Sequence, residues 1–364
     1  MRLAFISSTP MSVRGGSGTF VGISVLQRAL EAQGHRIDLI SPNRGPMPLG
    51  HAAQRIGFNL RAEGRIARLA YDPDLIVGFD LDGCLLRHKA PYVASIKGVL
   101  AEELTFERGI VRFSLWLQSR FERLNVRRAP LVLTTSDYAR RRIAANYGVP
   151  VGKIAVVPES IDLRGWRAAL ATAGPRRNWT PTILTVCHLY PRKSVDVLLR
   201  AMPLVRATIP NARLRIVGIG PELDRLITLR DELGVTDDVD FLRHIPFEQL
   251  VLEYRDAALF CLPSRQEGFG IVLLEAMAAG RAVVASRATA IPEVVPDGVA
   301  GSLVVPGDSG ALAETLIELL SQPERADALG ASGARHVEVF DAPLIATRFM
   351  ETVVGKRRGG TGAA

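Results

Sequence analysis

Short apolar runs alternate with helical patterns along this chain of 364 residues. Six runs in the first half have the length and composition of buried strands: residues 2–8, 36–41, 75–79, 92–96, 132–135 and 154–157. Six more follow in the second half: residues 182–187, 214–217, 239–242, 258–262, 282–285 and 302–305. Strands that alternate with helices indicate parallel sheets covered on both faces. The chain is therefore predicted to be an α/β protein.

One segment interrupts this alternation and divides the chain. Residues 162–181 contain glycines, prolines and no clear period, so we interpret them as an interdomain linker. It separates a first Rossmann-like domain, 1–161, from a second, 182–342, and the length is sufficient for both. Residues 343–355 are predicted to form a C-terminal helix, followed by a disordered tail over 356–364. Two such domains would bind a ligand at the carboxyl ends of their strands.

The composition argues against several classes of protein. No apolar run approaches the roughly 18 residues of a membrane-spanning helix, and the N-terminus lacks the pattern of a signal peptide. Cys84, Cys187 and Cys261 lie far apart, each in or beside an apolar run, and are expected to be buried thiols in a reducing compartment. No spacing of cysteine and histidine suggests zinc. We therefore expect a cytoplasmic protein.

Positive charge is concentrated in the first half of the chain. Residues 1–175 carry 24 Lys and Arg against 14 Asp and Glu, whereas residues 176–364 carry 21 against 23. A helix predicted over 103–127 has an apolar stripe that we expect in the core: Phe106, Ile110, Phe113, Leu117, Phe121 and Leu124. Another face of the same helix is basic and includes an aromatic residue: Arg112, Trp116, Arg120, Arg123 and Arg127.

A similar basic pattern occurs near residues 55–70, with Phe58, Arg61, Arg65 and Arg68. Such faces are either solvated surfaces, on which arginine stems cover apolar area, or contacts with an anionic membrane. The second interpretation predicts a membrane-peripheral protein whose contact lies in the basic N-terminal domain. Nucleic acid is not expected as a partner, because no recognised binding module is present.

The stretch that most clearly indicates a binding site is residues 267–275, with the sequence E-G-F-G-I-V-L-L-E. A glycine-rich loop over 264–270 follows a buried strand and precedes a helical pattern that Gly280 ends. This arrangement gathers free N–H groups and the positive end of a helix dipole, which suits a phosphate. The two glutamates can accept hydrogen bonds from hydroxyls of a sugar nucleotide. The alternative is an ordinary strand–helix unit with surface glutamates.

The same stretch resembles the signature of glycosyltransferase family 4. The resemblance begins at Pro263-Ser264, includes Glu267-Gly-Phe-Gly270 and Glu275-Ala-Met-Ala278, and continues to Val283-Val-Ala-Ser286, Pro292-Glu293, Asp297-Gly-Val-Ala-Gly301 and Pro306-Gly-Asp308. It implies a retaining enzyme of the GT-B fold, in which two Rossmann-like domains face each other across a cleft and no metal is required. In that fold the last helix crosses back onto the first domain.

The resemblance also assigns roles to individual residues. It implies that Glu267 and the backbone of Phe269 and Gly270 face the donor sugar and phosphate, and that Glu275 holds the ribose hydroxyls. Two further residues are candidates for donor binding: Gly218 and Ile271.

A second glycine-rich loop, Gly15-Gly-Ser-Gly18, lies between the first strand and the first helix. It can present N–H groups to an anion, or it can be only a tight turn. Because it is similar to the family's Gly-Gly-x-Gly loop, which faces the donor phosphates, Gly16 and Gly18 are predicted to bind the donor.

The first strand of the second domain leads into Cys187-His-Leu-Tyr-Pro-Arg-Lys193. The family places an arginine and a lysine here on the pyrophosphate, and a departing diphosphate needs such cationic donors. Lys193 matches the lysine, His188 stands at the arginine position, and Arg192 is a candidate substitute for that arginine. The alternative is that these are solvated charges at a strand end.

Lys97 stands where the family often has a histidine after the strand 92–96. A lysine can donate to a hydroxyl or bind an acidic acceptor, or it can be a surface residue at a strand end. Asp80-Leu-Asp82 looks like the Asp-x-Asp metal motif of the other glycosyltransferase fold. Since the surrounding pattern is that of GT-B, a helix-starting turn at Asp82 is favoured and no metal is expected.

Together these features predict a metal-independent, retaining hexosyltransferase. The predicted catalytic residues are Glu267, Lys193 and Lys97; the co-substrate is a nucleoside-diphosphate sugar, no further cofactor is expected, and the acceptor is a sugar, a lipid or a small molecule. The family mechanism needs no enzymic nucleophile, because the leaving phosphate takes the acceptor's proton. The alternatives are a non-catalytic nucleotide-sugar-binding subunit and a GT-B epimerase or phosphorylase.

Overall fold

The computed structural model describes residues 1–9, 18–42, 51–176 and 179–359. The chain divides into two compact units: unit 1 is Met1–Ser160 with Ala342–Ala364, and unit 2 is Ile161–Asp341. Each unit contains one sheet of six strands, and all of the strand pairs are parallel. The predicted α/β class, with two parallel sheets covered by helices, is confirmed. No helix among the described residues has the length and apolarity needed to cross a membrane.

Unit 1 begins with a regular alternation of strands and helices. Its strands are β1 (Arg2–Ile6), β2 (Arg36–Ile40), β3 (Leu75–Phe79), β4 (Tyr92–Ile96), β5 (Leu131–Thr134) and β6 (Ile154–Val156). Its helices before the unit boundary are α1 (Gly18–Ala32), α2 (His51–Ile66), α3 (Leu100–Glu103), α4 (Gly109–Arg128) and α5 (Asp137–Tyr147). The strands are ordered β2-β1-β3-β4-β5-β6, so the order reverses between β1 and β3.

The strands of unit 1 are buried on both faces. Leu3 and Phe5 of β1 belong to one apolar cluster, whereas Ala4 and Ile6 belong to another on the opposite face. This alternation is expected because successive side chains of a strand point to opposite sides of the sheet. The near-continuous apolar composition of these strands therefore reflects helices on both faces.

Unit 2 repeats this architecture. Its strands are β7 (Thr182–Val186), β8 (Arg213–Val217), β9 (Val239–Arg243), β10 (Leu259–Leu262), β11 (Ala282–Ser286) and β12 (Gly301–Val304). Its helices are α6 (Leu163–Ala173), α7 (Val195–Thr208), α8 (Leu223–Glu232), α9 (Phe247–Asp256), α10 (Ile271–Ala278), α11 (Ile291–Val294), α12 (Ser309–Ser321) and α13 (Pro323–His336). The strand order β12-β11-β10-β7-β8-β9 reverses between β7 and β10.

The last helix, α14 (Ala342–Gly359), belongs to unit 1. Ile345, Ala346 and Phe349 are buried in the cluster that also contains Phe5, and the rings of Phe5 and Phe349 lie 6.4 Å apart. The predicted tail, 356–364, differs in its described part, because residues 356–359 form the end of this helix. The remaining tail residues lie outside the described residues.

The segment predicted to be a linker, 162–181, is not without regular structure. Leu163–Ala173 forms α6, whose N-terminus is capped by Asp162 through a 2.8 Å hydrogen bond from the Gly165 N–H. Gly174 ends the helix in a conformation with φ of 78°. An aspartate at the start and a glycine just past the end are helix boundary signals, and the prediction of a linker overlooked them.

The predicted helix over 103–127 also differs. A 3₁₀ turn over Leu104–Phe106 precedes α4, which begins at Gly109 with a positive φ and extends to Arg128. The apolar stripe is not core, because Ile110 is 84% and Phe113 61% exposed. The buried face is mainly polar instead: Gln118, Ser119, Glu122, Asn125 and Val126.

Polar burial on α4 has a local cause. Asn125 donates to the carbonyl oxygens of Asp80 and Asp82, at 2.6 and 3.2 Å, and Glu122 accepts from the Leu100 N–H at 3.0 Å. The helix therefore packs against loop backbone that follows the strands, where hydrogen-bonding side chains are favoured over apolar ones.

Candidate active site

The loop between β10 and α10 lies at the point where the strand order of unit 2 reverses. Ligands of open α/β sheets bind at the carboxyl ends of the strands at such a point. Gly270 has φ of 93°, and an added Cβ would approach the Leu273 Cδ1 atom to 2.8 Å. Glycine is therefore required at this position. It leads directly into α10, whose first N–H groups have no partner within the helix.

Lys193 and Glu267 are brought together by this arrangement of strands. The Lys193 Nζ atom binds the Glu267 Oε1 atom, and the two side chains are 14% and 7% exposed. The Ser264 hydroxyl donates to the same carboxylate oxygen at 2.9 Å. Two of the three predicted catalytic residues therefore form one cluster between neighbouring strands β7 and β10.

The backbone of Glu267 is fixed as well. Its N–H donates to the Thr289 hydroxyl oxygen at 2.9 Å, and the hydroxyl donates in turn to the Glu267 carbonyl oxygen at 3.0 Å. The Arg265 N–H donates to the Arg192 carbonyl oxygen at 2.8 Å, which ties this loop to the loop after β7. The cluster is thus held by backbone as well as by side-chain contacts.

The loop after β7 contains the other predicted diphosphate ligands. His188 is exposed, and its ring lies 6.2 Å from the ring of Tyr190. The Arg192 guanidinium lies 5.3 Å from the same tyrosine ring. Gly218, after β8, packs so tightly on this loop that a Cβ would lie 1.8 Å from the Cys187 carbonyl oxygen. The structure therefore places His188, Arg192 and Gly218 in or against the loop that ends in Lys193.

Phe269 and Ile271 take ordinary structural positions around Gly270. The Phe269 side chain is 5% exposed and packs edge-on against Phe340, with ring centroids 5.5 Å apart. Ile271 is half-buried at the start of α10. The Phe269 ring is therefore part of the core, so only its backbone is available to a ligand.

Glu275 is half-buried on α10. The Tyr254 hydroxyl donates to its Oε2 atom at 2.9 Å. Burial raises the pKa of Glu275 to about 7, and the tyrosine hydrogen bond opposes that rise. Glu267 and Glu275 thus belong to the same strand–loop–helix element, as the sequence predicts, but they have different partners.

Lys97, the third predicted catalytic residue, lies in unit 1. Its Nζ atom is 2.9 Å from the Glu159 Oε1 atom, and the two side chains are 8% and 6% exposed. The ammonium group also lies 5.8 Å from the centre of the Phe79 ring. Gly22 makes room for this pair, since a Cβ there would lie 2.4 Å from Glu159. Within unit 1 the lysine is therefore engaged in a buried ion pair.

Asp80 and Asp82 anchor the carboxyl ends of strands in unit 1. The Asp82 Oδ2 atom accepts from the Ser8 N–H at 2.6 Å and from the Ser8 hydroxyl at 2.8 Å, and its Oδ1 atom accepts from Asn59 at 2.8 Å. Arg55 lies 3.5 Å from Asp82 and 3.7 Å from Asp80. Burial raises the pKa of Asp80 to about 6, while Arg55 lowers it. These carboxylates are thus bound by donors of the chain itself.

The same pair does not start a helix, because Asp80 has a positive φ and a short turn follows. Among the described residues no group of three or more His, Cys, Asp or Glu side chains has the arrangement of a metal site. Gly18 begins α1, and nothing lies within 4 Å of a Cβ placed on it. Gly16 lies outside the described residues.

Sequence reasoning missed three residues of the unit 2 site. Ser264 lies inside the recognised motif, so its contact with Glu267 had a local signal. Thr289 and Tyr254 had none, because they reach the site from a later loop and from α9. In unit 1, Arg55 and Glu159, which bind Asp82 and Lys97, were likewise not predicted.

Comparisons with known proteins add a family context. Residues 173–336 match the family model of group 1 glycosyl transferases, and residues 16–164 match the model of glycosyltransferase family 4. The chain is 30% identical over 379 residues to a phosphatidyl-myo-inositol mannosyltransferase of Mycobacterium leprae, a match that covers 96% of each chain.

One further relative and one solved structure are also similar to this chain. The chain is 37% identical over 220 residues to a GDP-mannose-dependent alpha-(1-6)-phosphatidylinositol monomannoside mannosyltransferase of Mycolicibacterium smegmatis, and the match spans 57% of each protein. The structure of sucrose-phosphate synthase from Thermosynechococcus elongatus is similar with a TM-score of 0.82 and 22% identity, over 98% of this chain and 99% of that one. The predicted GT-B fold is confirmed.

Proposed function

The chain belongs to glycosyltransferase family 4, and from that premise we propose that it transfers a hexose from a nucleoside diphosphate to an acceptor hydroxyl, with retention of configuration and without a metal ion. The observation that carries this proposal is the Lys193–Glu267 pair at the strand-order reversal of unit 2, beside the N-terminus of α10. Cationic and N–H donors at that point suit a diphosphate.

Lys193 and the start of α10 stabilise the departing diphosphate, because negative charge grows on its oxygens as the bond to the sugar breaks. Glu267, oriented by Lys193 and Ser264, positions the sugar through its hydroxyls. Glu275 binds the ribose. His188 and Arg192 lie in the same loop as Lys193 and add donors to the phosphates.

The reaction occurs on one face of the sugar. The bond from the anomeric carbon to the phosphate oxygen breaks, the acceptor oxygen forms the new bond, and the leaving phosphate takes the acceptor's proton. This route requires no nucleophile from the chain. The thiols of Cys187 and Cys84 are unsuited to that role, since burial raises their pKa to about 11 and about 12.

The names of the relatives suggest the first substrates to test. One is called GDP-mannose-dependent, and both carry a phosphatidylinositol compound in their names. We therefore propose GDP-mannose as the donor and a hydroxyl of a lipid head group as the acceptor. A sugar or a small molecule remains the alternative acceptor.

A surface on α4 supports a lipid acceptor. Ile110, Phe113 and Trp116 are 84%, 61% and 48% exposed, and the two aromatic rings stack with centroids 5.8 Å apart. Arg112 and Arg120 are exposed on the same helix. We call these five residues the α4 surface. Apolar side chains among arginines suit the interface of an anionic membrane, so we propose that the protein is cytoplasmic and contacts the membrane peripherally.

The test is slow hydrolysis of sugar nucleotides by the purified protein, across GDP-, UDP-, ADP- and dTDP-sugars, with a chelator present throughout. We expect release of GDP from GDP-mannose at an unchanged rate in the chelator. Release that stops in the chelator and returns with a divalent ion would contradict the metal-independent route.

The same assay distinguishes the alternative functions. A non-catalytic subunit would bind a sugar nucleotide and release no nucleotide even when candidate lipid acceptors are added. An epimerase would yield a different sugar nucleotide, and a phosphorylase would yield a sugar phosphate. Either product would replace the proposed transfer reaction.

A further inference from the structure

We propose that Tyr254 is a positioning residue that aims one oxygen of Glu275 at the ribose hydroxyls of a bound nucleotide. This inference rests on the proposed function, because it adds a residue to the nucleotide half of the same site. It concerns a side chain that lies on another helix, α9, and has no sequence motif of its own.

The Tyr254 ring is held rigidly in the core of unit 2. Its side chain is 0% exposed. Trp166 packs edge-on against it at 5.5 Å, and Phe260 of β10 lies 5.7 Å away on a tilted plane. A ring fixed by such neighbours has little rotational freedom, so its hydroxyl occupies a defined position.

The Tyr254 hydroxyl donates to Oε2 of Glu275, at 2.9 Å, and not to Oε1. The Val272 carbonyl oxygen is farther from this hydroxyl, at 3.4 Å. Within the described part of the chain, Oε1 has no hydrogen-bond partner. Because a carboxylate can accept at both oxygens, anchoring one of them leaves the other for a ligand hydroxyl.

Anchoring matters because a free glutamate side chain would have to be ordered when the ligand binds. A side chain that is already in its bound conformation avoids that entropic cost. The hydrogen bond from Tyr254 therefore favours the nucleotide by preorganising Glu275, without itself touching the ligand.

The protonation of Glu275 provides an independent readout. Burial raises its pKa to about 7, and the Tyr254 hydroxyl lowers it by favouring the carboxylate. Among the described residues, Tyr254 is the titratable group that shifts this pKa. Cys187 interacts electrostatically with Tyr254, and burial keeps its thiol neutral by raising its pKa to about 11. Loss of the tyrosine hydroxyl should therefore raise the pKa of Glu275.

The experiment compares GDP with 2′,3′-dideoxy-GDP, which lacks the ribose hydroxyls, by titration calorimetry on the full chain. Wild type should prefer GDP. Tyr254→Phe, which keeps the ring, should bind GDP about tenfold more weakly, in the range for loss of a hydrogen bond to a charged group, and dideoxy-GDP almost unchanged. Tyr71→Phe, which removes a hydroxyl bound to Asp38 in unit 1, should leave both affinities unchanged.

Two further measurements guard against a merely structural effect. In a Glu275→Gln background, Tyr254→Phe should cause no additional loss of GDP affinity. In wild type, GDP affinity should fall as the pH drops below about 7 while dideoxy-GDP affinity does not, and in Tyr254→Phe the fall should begin at higher pH.

The outcomes distinguish failure of the proposed function from failure of the positioning role of Tyr254. If the wild type does not bind GDP, the proposed donor fails and this inference fails with it. If the wild type binds GDP but Tyr254→Phe weakens GDP and dideoxy-GDP equally, or changes neither, the positioning role is overturned while the proposed function stands.

Discussion

Lys97 and Lys193 each follow a strand, yet their side chains end in different surroundings. Lys193 binds Glu267 at the strand-order reversal of unit 2, and Lys97 binds Glu159 in the interior of unit 1. Both were predicted to be catalytic from the family resemblance, because Lys193 matches its lysine and Lys97 stands where the family often has a histidine. The partner of Lys97 could not be predicted, because Glu159 lies far along the chain and is brought close to Lys97 by the fold.

Removing the Lys97 charge should therefore destabilise unit 1. Lys97→Met leaves Glu159 buried without its partner, which should lower the free energy of unfolding by about 3–5 kcal/mol. Adding Glu159→Gln to that variant should recover part of the loss. Urea unfolding followed by circular dichroism measures both, with Lys89→Met, which alters an exposed lysine, as the control.

A different result would support a catalytic role for Lys97. If Lys97→Met were as stable as the wild type and lost transfer activity, the ammonium group would contact a substrate directly. That would support the role implied by its position in the family motif.

The other site residues divide in the same way. Glu267, Gly270 and Glu275 were predictable because they lie in one contiguous strand–loop–helix motif. Tyr254 and Thr289 were not, since their contacts depend on which helix and loop the fold places beside that motif.

At the scale of elements, α4 shows where a periodic pattern misleads. Ile110 and Phe113 recur at helical spacing, and spacing alone predicts a buried stripe. The helix instead buries Glu122 and Asn125, which bind loop backbone at the ends of the strands. Hydrophobic periodicity identified the helix but not its buried face. For α6 the sequence pattern did not identify the helix at all, because its capping residues were interpreted as part of a linker.

The α4 surface leads to a prediction about membranes. Phe113→Ser and Trp116→Ser together should abolish sedimentation with phosphatidylcholine vesicles that contain phosphatidylglycerol, because apolar insertion and attraction by arginines act together. Added salt should weaken binding of the wild type. Leu344→Ser, at an exposed apolar residue of α14, is the matched control and should still sediment.

Absence of wild-type sedimentation at low salt would remove the membrane proposal. Equal loss in the Leu344→Ser control would show that general apolar exposure, and not the α4 surface, is responsible.

For the whole molecule, the alternation of strands and helices was sufficient to predict two parallel sheets. It did not predict strand order, which depends on how successive crossovers turn. The strand order determines where the site lies, because it makes β7 and β10 neighbours and so brings Lys193 close to Glu267. Unit 1 is discontinuous in sequence, since α14 packs against its sheet with Phe349 buried.

The proposed function requires that the Lys193–Glu267 cluster activates the donor. The most direct test measures turnover of the sugar nucleotide that the wild type hydrolyses fastest, in Lys193→Met, Glu267→Gln and the double variant. Arg206→Met is the matched control, because it breaks another ion pair of unit 2, 2.8 Å from Asp238. Thermal unfolding of each variant confirms that it is folded.

We predict that each variant of the cluster lowers kcat by about 10²–10³-fold, the range for loss of one preorganised electrostatic contact, while Arg206→Met retains turnover. The double variant should lose little more than either single one, because the two residues act as a unit. Folded Lys193→Met and Glu267→Gln proteins with near-normal kcat would contradict the claim.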